Sequence, residues 1–222
     1  MIATNCLLCG ATATGKPNLC ADCRRDLPRT PPACPACGAF LPESGLCPAC
    51  LRREPPFART HAAFQYAAPI SHLVVLMKFR GNLAATRVLG DLLADHLMET
   101  NTPKPEFIIP VPLHTRRLRE RGFNQSVELG REIAARWSIP LRKDLVTRKR
   151  ATLPQTSLPD PAARRRNVCG AFVLKTSVSG VRHVAILDDV MTTGATVAEV
   201  ARLVARSGAL RVDVWCCCRA GS

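Results

Sequence analysis

Residues 184–197 read VAILDDVMTTGATV, and they are the most informative segment for the fold. The four apolar residues 184–187 predict a buried parallel strand, because such strands are covered on both faces. Two carboxylates follow, and a short loop of threonine and glycine then leads into an amphipathic helix at 196–207. A strand, a loop and a helix in this order place a ligand at the carboxyl end of the strand in an open α/β sheet.

The loop at 191–196 predicts an anion site. Loop amides and a helix N-terminus stabilise negative charge, and Gly194 lets the backbone approach a phosphate closely. Asp188 and Asp189 would repel phosphate, but their oxygens can accept hydrogen bonds from the vicinal hydroxyls of a ribose. The pattern therefore predicts a ribose 5-phosphate. The alternative, that Asp189 caps a turn, explains one acid but not the whole pattern.

Strand and helix patterns alternate through the chain on both sides of this segment. This alternation predicts an α/β fold with a mostly parallel sheet flanked by helices. The other strands are predicted at 62–66, 107–111 and 211–217, and the other helices at 70–78, 84–98 and 125–137 with Asn124 as a cap.

Residues 1–55 have a different character, being rich in Cys, Pro and small residues without apolar periodicity. Such a segment needs a covalent or metal staple to fold. Glu54, Pro55 and Pro56 are typical of a linker, which predicts domains at 1–55 and 56–222. Eight of the twelve cysteines form four C-x-x-C pairs in the first domain: Cys6/Cys9, Cys20/Cys23, Cys34/Cys37 and Cys47/Cys50.

The spacing of these cysteines predicts two structural zinc sites. Each pair places two sulfurs on one tight turn, and two turns complete a shell of four thiolates. The simplest assignment gives the first two pairs to one zinc ion and the last two to another, but spacing also allows an interleaved pairing. A closed shell leaves no open position for catalysis. Contact between nucleic acid and the neighbouring arginines is the alternative role. Cys169 and residues 216–218 are expected to be small hydrophobic side chains instead of ligands.

Composition limits the class of protein. The sequence has no apolar run long enough for a membrane helix and no basic-flanked apolar segment at its start, so we expect a cytoplasmic protein without membrane insertion. That compartment favours zinc over disulfides. The net charge of +14 predicts an acidic partner, either a phosphorylated small molecule or a nucleic acid. Arginines that only increase solubility are the alternative.

The segment 184–197 resembles the phosphoribosyl-pyrophosphate motif of type I phosphoribosyltransferases. The resemblance implies that Asp188 and Asp189 contact the ribose and that Mg²⁺ accompanies phosphoribosyl pyrophosphate. Hypoxanthine–guanine phosphoribosyltransferases have an aspartate where this chain has Thr192, which cannot act as a base near neutral pH, so the acceptor is left open. The residues implied to cradle the 5′-phosphate are Met191, Thr192, Thr193, Gly194, Ala195 and Thr196.

Residues 109–126 read IPVPLHTRRLRERGFNQS. Together with the cysteine pairs and the phosphoribosyl motif, they resemble the ComF/GntX family, the family of competence protein F, in which a double zinc ribbon precedes a type I phosphoribosyltransferase domain. The resemblance implies that Val111 and Pro112 lie in the pyrophosphate loop. It also implies a mobile basic loop that stabilises the leaving group, whereas a solvated helix face is the alternative. The arginines of this run are Arg116, Arg117, Arg119 and Arg121, of which Arg116 and Arg121 are the catalytic candidates.

The ComF/GntX resemblance implies a role in DNA uptake during competence or in the use of DNA as a nutrient. The implied partners are phosphoribosyl pyrophosphate or ribose 5-phosphate, single-stranded DNA and a DNA helicase of the uptake machinery. Two alternatives remain open at this point. One is an active phosphoribosyltransferase of nucleotide metabolism with an unknown acceptor, and the other is a zinc-ribbon scaffold that docks the helicase or the uptake machinery.

Overall fold

A four-stranded sheet forms the centre of the computed structural model, which describes residues 4–13, 18–153, 158 and 160–221. Every strand pair in the sheet is parallel, as the alternating pattern predicted. The strands, in their order across the sheet, are β3 (Arg59–Gln65), β8 (Val212–Arg219), β7 (Val184–Met191) and β4 (Phe107–Pro110).

Helices cover both faces of the sheet and complete two apolar cores. On one face lie α3 (Ile70–Arg80), α4 (Leu83–Glu99) and α6 (Gln125–Trp137). On the other lie α7 (Pro161–Val168), α8 (Ala195–Arg206) and the antiparallel pair β5 (Val146–Arg148) and β6 (Phe172–Leu174). The predicted α/β class, with a mostly parallel sheet flanked by helices, is confirmed.

Strand β7 is longer than the apolar run that predicted it. The prediction ended the strand at Leu187, whereas the structure continues it to Met191, through both carboxylates. The reason is the neighbouring strand β8, which also extends past its predicted end and pairs with β7 as far as Met191 and Arg219. Backbone pairing, and not side-chain hydropathy, therefore decides where these two strands end.

The cysteine-rich segment contains two small ribbons. The first has β1 (Thr4–Asn5), β2 (Thr12–Ala13) and α1 (Ala21–Arg25), and it packs on the core beside α4, where Arg24 lies 2.8 Å from Asp95. The second ends in α2 (Pro48–Arg52) and is seated on β3, where the Thr60 hydroxyl donates to the Ala36 carbonyl at 2.7 Å. The boundary predicted at residue 55 falls between α2 and β3.

Within the described ranges, no helix combines the length and apolarity that crossing a bilayer requires.

A buried polar cluster lies at the amino edge of the sheet, opposite the edge where the strands end. Asp213 is fully buried and accepts a hydrogen bond from Arg211 at 2.9 Å, and its carboxylate lies 3.1 Å from the His183 ring. His61 contacts the Thr102 hydroxyl through Nδ1 at 3.0 Å, but its buried Nε2 has no hydrogen-bond partner among the described residues. Burial outweighs the attraction of Asp213 and lowers the pKa of His61 to about 4.

We expect His61 to make the fold less stable in mild acid. Its pKa is below the unfolded value of 6.5, so the unfolded chain binds the proton first and stability falls as the pH drops through 6.5. The loss between pH 7 and pH 5 should be about 2 kcal/mol. Urea unfolding at both pH values with excess zinc measures it. Burial also lowers the pKa of His96, which contributes in the same direction, so His61→Gln should reduce the total loss by about 2 kcal/mol and the exposed His72→Gln should leave it unchanged. An unchanged pH dependence in His61→Gln would contradict the assignment.

Candidate functional site

A cavity of about 550 Å³ opens at the carboxyl edge of the sheet. It brings together most of the residues that the sequence singled out. Asp188 and Asp189 contribute from β7, Val111 from the loop after β4, and Arg121 from the basic run. The predicted phosphate loop lines the cavity with all six of its residues: Met191, Thr192, Thr193, Gly194, Ala195 and Thr196.

The two carboxylates have different surroundings. Asp188 accepts hydrogen bonds from the Ser126 hydroxyl at 3.3 Å and from the Asp189 backbone N–H at 2.9 Å. Asp189 accepts from the Val190 N–H at 2.6 Å and forms an ion pair with Lys78, whose Nζ lies 3.0 Å away. Burial and the neighbouring Asp189 carboxylate raise the pKa of Asp188 to about 7. Asp188 can therefore exchange a proton near neutral pH, unless a cation in the cavity holds it ionised.

The phosphate loop is shaped by a glycine in the left-handed region. Gly194 has φ +73° and immediately precedes α8, so the first turn of that helix faces the cavity. A Cβ atom at this position would lie 2.8 Å from the Met191 Cε atom. Only glycine allows this backbone without strain or displacement of Met191. The result is a loop and a helix N-terminus directed at one place, an arrangement that stabilises an anion.

The loop after β4 is fixed by backbone and side-chain contacts. The Val111 N–H donates to the Leu187 carbonyl at 2.9 Å, and the Asn124 side chain donates to the Val111 carbonyl at 3.0 Å. Asn124 also caps α6, as predicted, by accepting from the Ser126 N–H at 3.0 Å. Val111 lines the cavity, whereas Pro112, predicted with it, is not among the lining residues.

The basic run forms a short helix, α5 (Thr115–Arg121), where the resemblance implied a mobile loop and a helix face was the alternative. The His114 side chain caps its first turn and Gly122, at φ +77°, ends it, so local sequence suffices to close the helix. Arg117 and Arg121 line the main cavity. Arg116 instead forms an exposed ion pair with Glu120 at 2.9 Å and lines a smaller adjoining cavity of about 280 Å³.

Further polar residues line the site without having been predicted for it, among them Lys78, Ser126 and Arg148. Ser126 is the last residue of the 109–126 segment, whereas Lys78 and Arg148 lie outside every segment from which site residues were predicted. Arg148 stacks on Phe172, and its buried Nε has no hydrogen-bond partner in the part of the chain that is described. Charge complementarity could have indicated Lys78, because a buried pair of carboxylates needs a cation nearby.

The eight paired cysteines form two clusters in sequential order. Within each cluster the sulfur atoms all lie within 4.8 Å of one another. The Cys9 and Cys20 sulfurs are 3.7 Å apart, and those of Cys37 and Cys47 are 3.6 Å apart. A tetrahedral zinc ion requires a separation of about 3.8 Å, so the residues fit the metal and the interleaved pairing is excluded. The members are Cys6, Cys9, Cys20 and Cys23 in the first cluster and Cys34, Cys37, Cys47 and Cys50 in the second.

Backbone geometry supports both clusters. Gly10 and Gly38 follow the second cysteine of their pairs at φ +76° and +68°, as the tight turns require. The Cys23 and Cys50 amides donate to the sulfurs of Cys20 and Cys47 at 3.5 and 3.4 Å, which stabilises thiolates. The remaining cysteines lie apart from the clusters: Cys169 is exposed, and Cys216, Cys217 and Cys218 are buried in the cores.

Comparison with known proteins identifies relatives along nearly the whole chain. A family model described as a double zinc ribbon domain matches residues 1–51. The DNA utilization protein YhgH of Escherichia coli O6:H1 is 40% identical, covering 96% of both chains. Competence protein F of Haemophilus influenzae is 33% identical, covering 97% of this chain and 96% of its own length. Among solved structures, adenine phosphoribosyltransferase from Leishmania tarentolae has a TM-score of 0.40 and 16% identity, covering 73% of this chain and 76% of its own.

Proposed function

The chain belongs to the family of competence protein F and the DNA utilization protein YhgH, and from this membership we propose that it binds phosphoribosyl pyrophosphate or a related ribose phosphate and acts in DNA uptake or the use of DNA as a nutrient. The observation that carries the proposal is the single cavity in which Asp188 and Asp189 lie together with the loop 191–196. The two carboxylates match the vicinal hydroxyls of a ribose 5-phosphate, and the loop matches its phosphate.

The charges of the cavity suit such a ligand. Of the residues that the structure describes, four with cationic side chains line it against two carboxylates: Lys78, Arg117, Arg121 and Arg148. Since Lys78 is already paired with Asp189, the arginines are the groups available for a phosphate or pyrophosphate. The carboxylate of Asp188 suits the Mg²⁺ that would accompany the pyrophosphate, and that ion would supply further charge neutralisation.

Transfer of the pentosyl group to an acceptor is the second candidate function. The specific observation in its favour is the 280 Å³ cavity beside the main one, since Arg117 and Arg148 line both. A second cavity joined to the first by cationic side chains offers room for a second reactant or for the leaving pyrophosphate. The threonine at position 192 gives no base there, so another group would have to accept the proton of the acceptor.

Calorimetric titration of the zinc-loaded protein tests the ligand. We expect micromolar binding of phosphoribosyl pyrophosphate with Mg²⁺. Asp188→Asn/Asp189→Asn should weaken it about 30-fold, or about 2 kcal/mol, because two charge-assisted hydrogen bonds to the ribose are lost. Asp144→Asn is the matched control, since Asp144 is exposed and pairs with Arg142 away from the cavity.

Single-stranded DNA provides the second arm of this experiment. Its binding, followed by fluorescence anisotropy at two salt concentrations, should survive the double substitution or improve, because removal of two negative charges favours a polyanion. If the folded wild-type protein binds DNA but neither phosphoribosyl pyrophosphate nor ribose 5-phosphate, the ribose-phosphate proposal is wrong and nucleic-acid binding is the main function.

A further inference from the structure

One buried arginine joins the second zinc cluster to the phosphate loop. Arg219 is the last residue of β8 and is 5% exposed. Its Nε donates to the carbonyl of Cys37, a ligand of the second cluster, at 3.3 Å. Its Nη1 donates to the carbonyl of Met191, the first residue of the loop, at 3.2 Å. The same guanidinium therefore contacts both sites through their backbones.

The zinc cluster is also the counter-charge of this arginine. Burial lowers the pKa of Arg219, and the acidic groups that oppose this are the thiols of Cys216, Cys37 and Cys47, of which the last two belong to the second cluster. Four thiolates around one Zn²⁺ carry a net charge of about −2. A buried cation without a compensating charge is strongly destabilising. The loaded cluster thus stabilises the guanidinium in the place from which it reaches Met191.

The second ribbon is held firmly against this arginine. A Cβ atom on Gly38 would lie 3.1 Å from Thr60 Cγ2 and 3.6 Å from Arg219 Cδ, so the turn of the Cys37 pair is in direct contact with both side chains. The Thr60 N–H donates to the Pro35 carbonyl at 2.9 Å. A change in the turn would therefore alter the surroundings of Arg219.

The first ribbon provides an internal comparison. It contacts α4 through the ion pair of Arg24 and Asp95 at 2.8 Å and buries Cys6, Leu19 and Leu27 in the core beside that helix. None of these contacts involves the loop 191–196 or the strand ends that form the cavity. Both zinc clusters consist of four cysteines. The second contacts a residue that reaches the ligand site, whereas the contacts named for the first do not.

We propose that Arg219 is a positioning residue through which zinc in the second cluster controls ligand binding at the loop 191–196. With zinc bound, the Cys37 carbonyl and the thiolates hold the guanidinium, which together with the Ala220 N–H holds the Met191 carbonyl. Without zinc, Arg219 loses its counter-charge and one hydrogen-bond acceptor, and the start of the loop loosens. The ligand part of this inference rests on the proposed function, whereas the coupling between zinc and loop does not.

Hydrogen exchange, zinc release and ribose 5-phosphate binding test this coupling in the zinc-loaded full chain. Arg219→Met keeps the unbranched stem of the side chain but removes the guanidinium with its charge and donors. It should speed amide exchange at 191–196, release one of the two zinc ions at least 5-fold faster, and weaken ribose 5-phosphate binding at least 10-fold. Arg219→Lys, which keeps the charge but loses the fork geometry, should give intermediate values.

The matched control is Arg24→Met, which breaks the contact of the first ribbon with α4. It should leave exchange at 191–196 as in the wild type. Wild-type exchange and zinc release in a folded Arg219→Met variant would overturn the proposal, and if that variant does not fold, the same result in Arg219→Lys would do so. If the wild type binds no ribose 5-phosphate, only the proposed ligand is wrong, since exchange and zinc release still decide the coupling.

Discussion

Chelation of zinc is expected to unfold the cysteine-rich segment while the parallel sheet stays folded. The second ribbon has almost no core besides its ligands, because its buried cluster consists of Cys34, Ala36, Cys47 and Cys50. Structural zinc contributes about 10 kcal/mol or more to such modules, far more than their apolar burial can supply. Amide exchange with and without a chelator measures the effect. Protection should disappear over residues 18–53 and persist in β7 and β8.

Substitution of single ligands sharpens this test. Cys34→Ser should remove one zinc ion per chain and unfold the second ribbon only, since the two clusters share no ligand. Cys169→Ser is the matched control, because that thiol is exposed and lies in neither cluster. Retention of amide protection at 34–50 after complete zinc removal would contradict the view that the metal holds the ribbon together.

Gly194→Val is expected to abolish ribose 5-phosphate binding without unfolding the protein. A β-branched residue at φ +73° is strained, and its Cβ would displace the Met191 side chain, which lines the cavity. The loop amides and the first turn of α8 would then no longer point at one phosphate. We expect binding to weaken by more than about 100-fold, or about 3 kcal/mol, in a calorimetric titration.

Gly180→Val separates backbone strain from loss of the site. Gly180 has φ +79°, but a Cβ atom there would meet nothing within 4 Å. Both variants should lose stability in thermal unfolding, Gly194→Val more because its Cβ also meets Met191, and only Gly194→Val should lose the ligand. Equal affinities of the two variants would show that the shape of the loop 191–196 does not determine binding.

Local patterns were sufficient to predict most of the elements of the sheet domain. The apolar run 184–187 and the amphipathic run 196–207 lie in β7 and α8, and Asn124 caps α6 as expected. The strand ends were wrong, because the pairing of β7 with β8 extends them beyond their apolar residues. That pairing joins segments whose register no local pattern specifies.

The site was predictable where its residues are contiguous in sequence. The acids and the phosphate loop form one segment, and all of its predicted residues line the cavity. Lys78 and Ser126 come from α3 and α6, and their contacts with Asp189 and Asp188 depend on how these helices pack on the sheet. Likewise, Arg116 and Arg121 were both predicted from the basic run as catalytic candidates. The turn of α5 directs Arg121 into the main cavity and Arg116 into the smaller one.

The position of β8 has a consequence for biosynthesis. This strand is the last in chain order, yet it lies inside the sheet, between β3 and β7. Until residues 212–219 have been synthesised, β3 lacks its partner and the β7 edge is open, so the nascent sheet exposes unpaired strands prone to association. The cysteine-rich segment precedes the sheet strands in the chain and can bind zinc before the sheet is complete. Arrival of β8 then closes the sheet, buries Cys216, Cys217 and Cys218, and brings Arg219 to both sites in a single late step of folding.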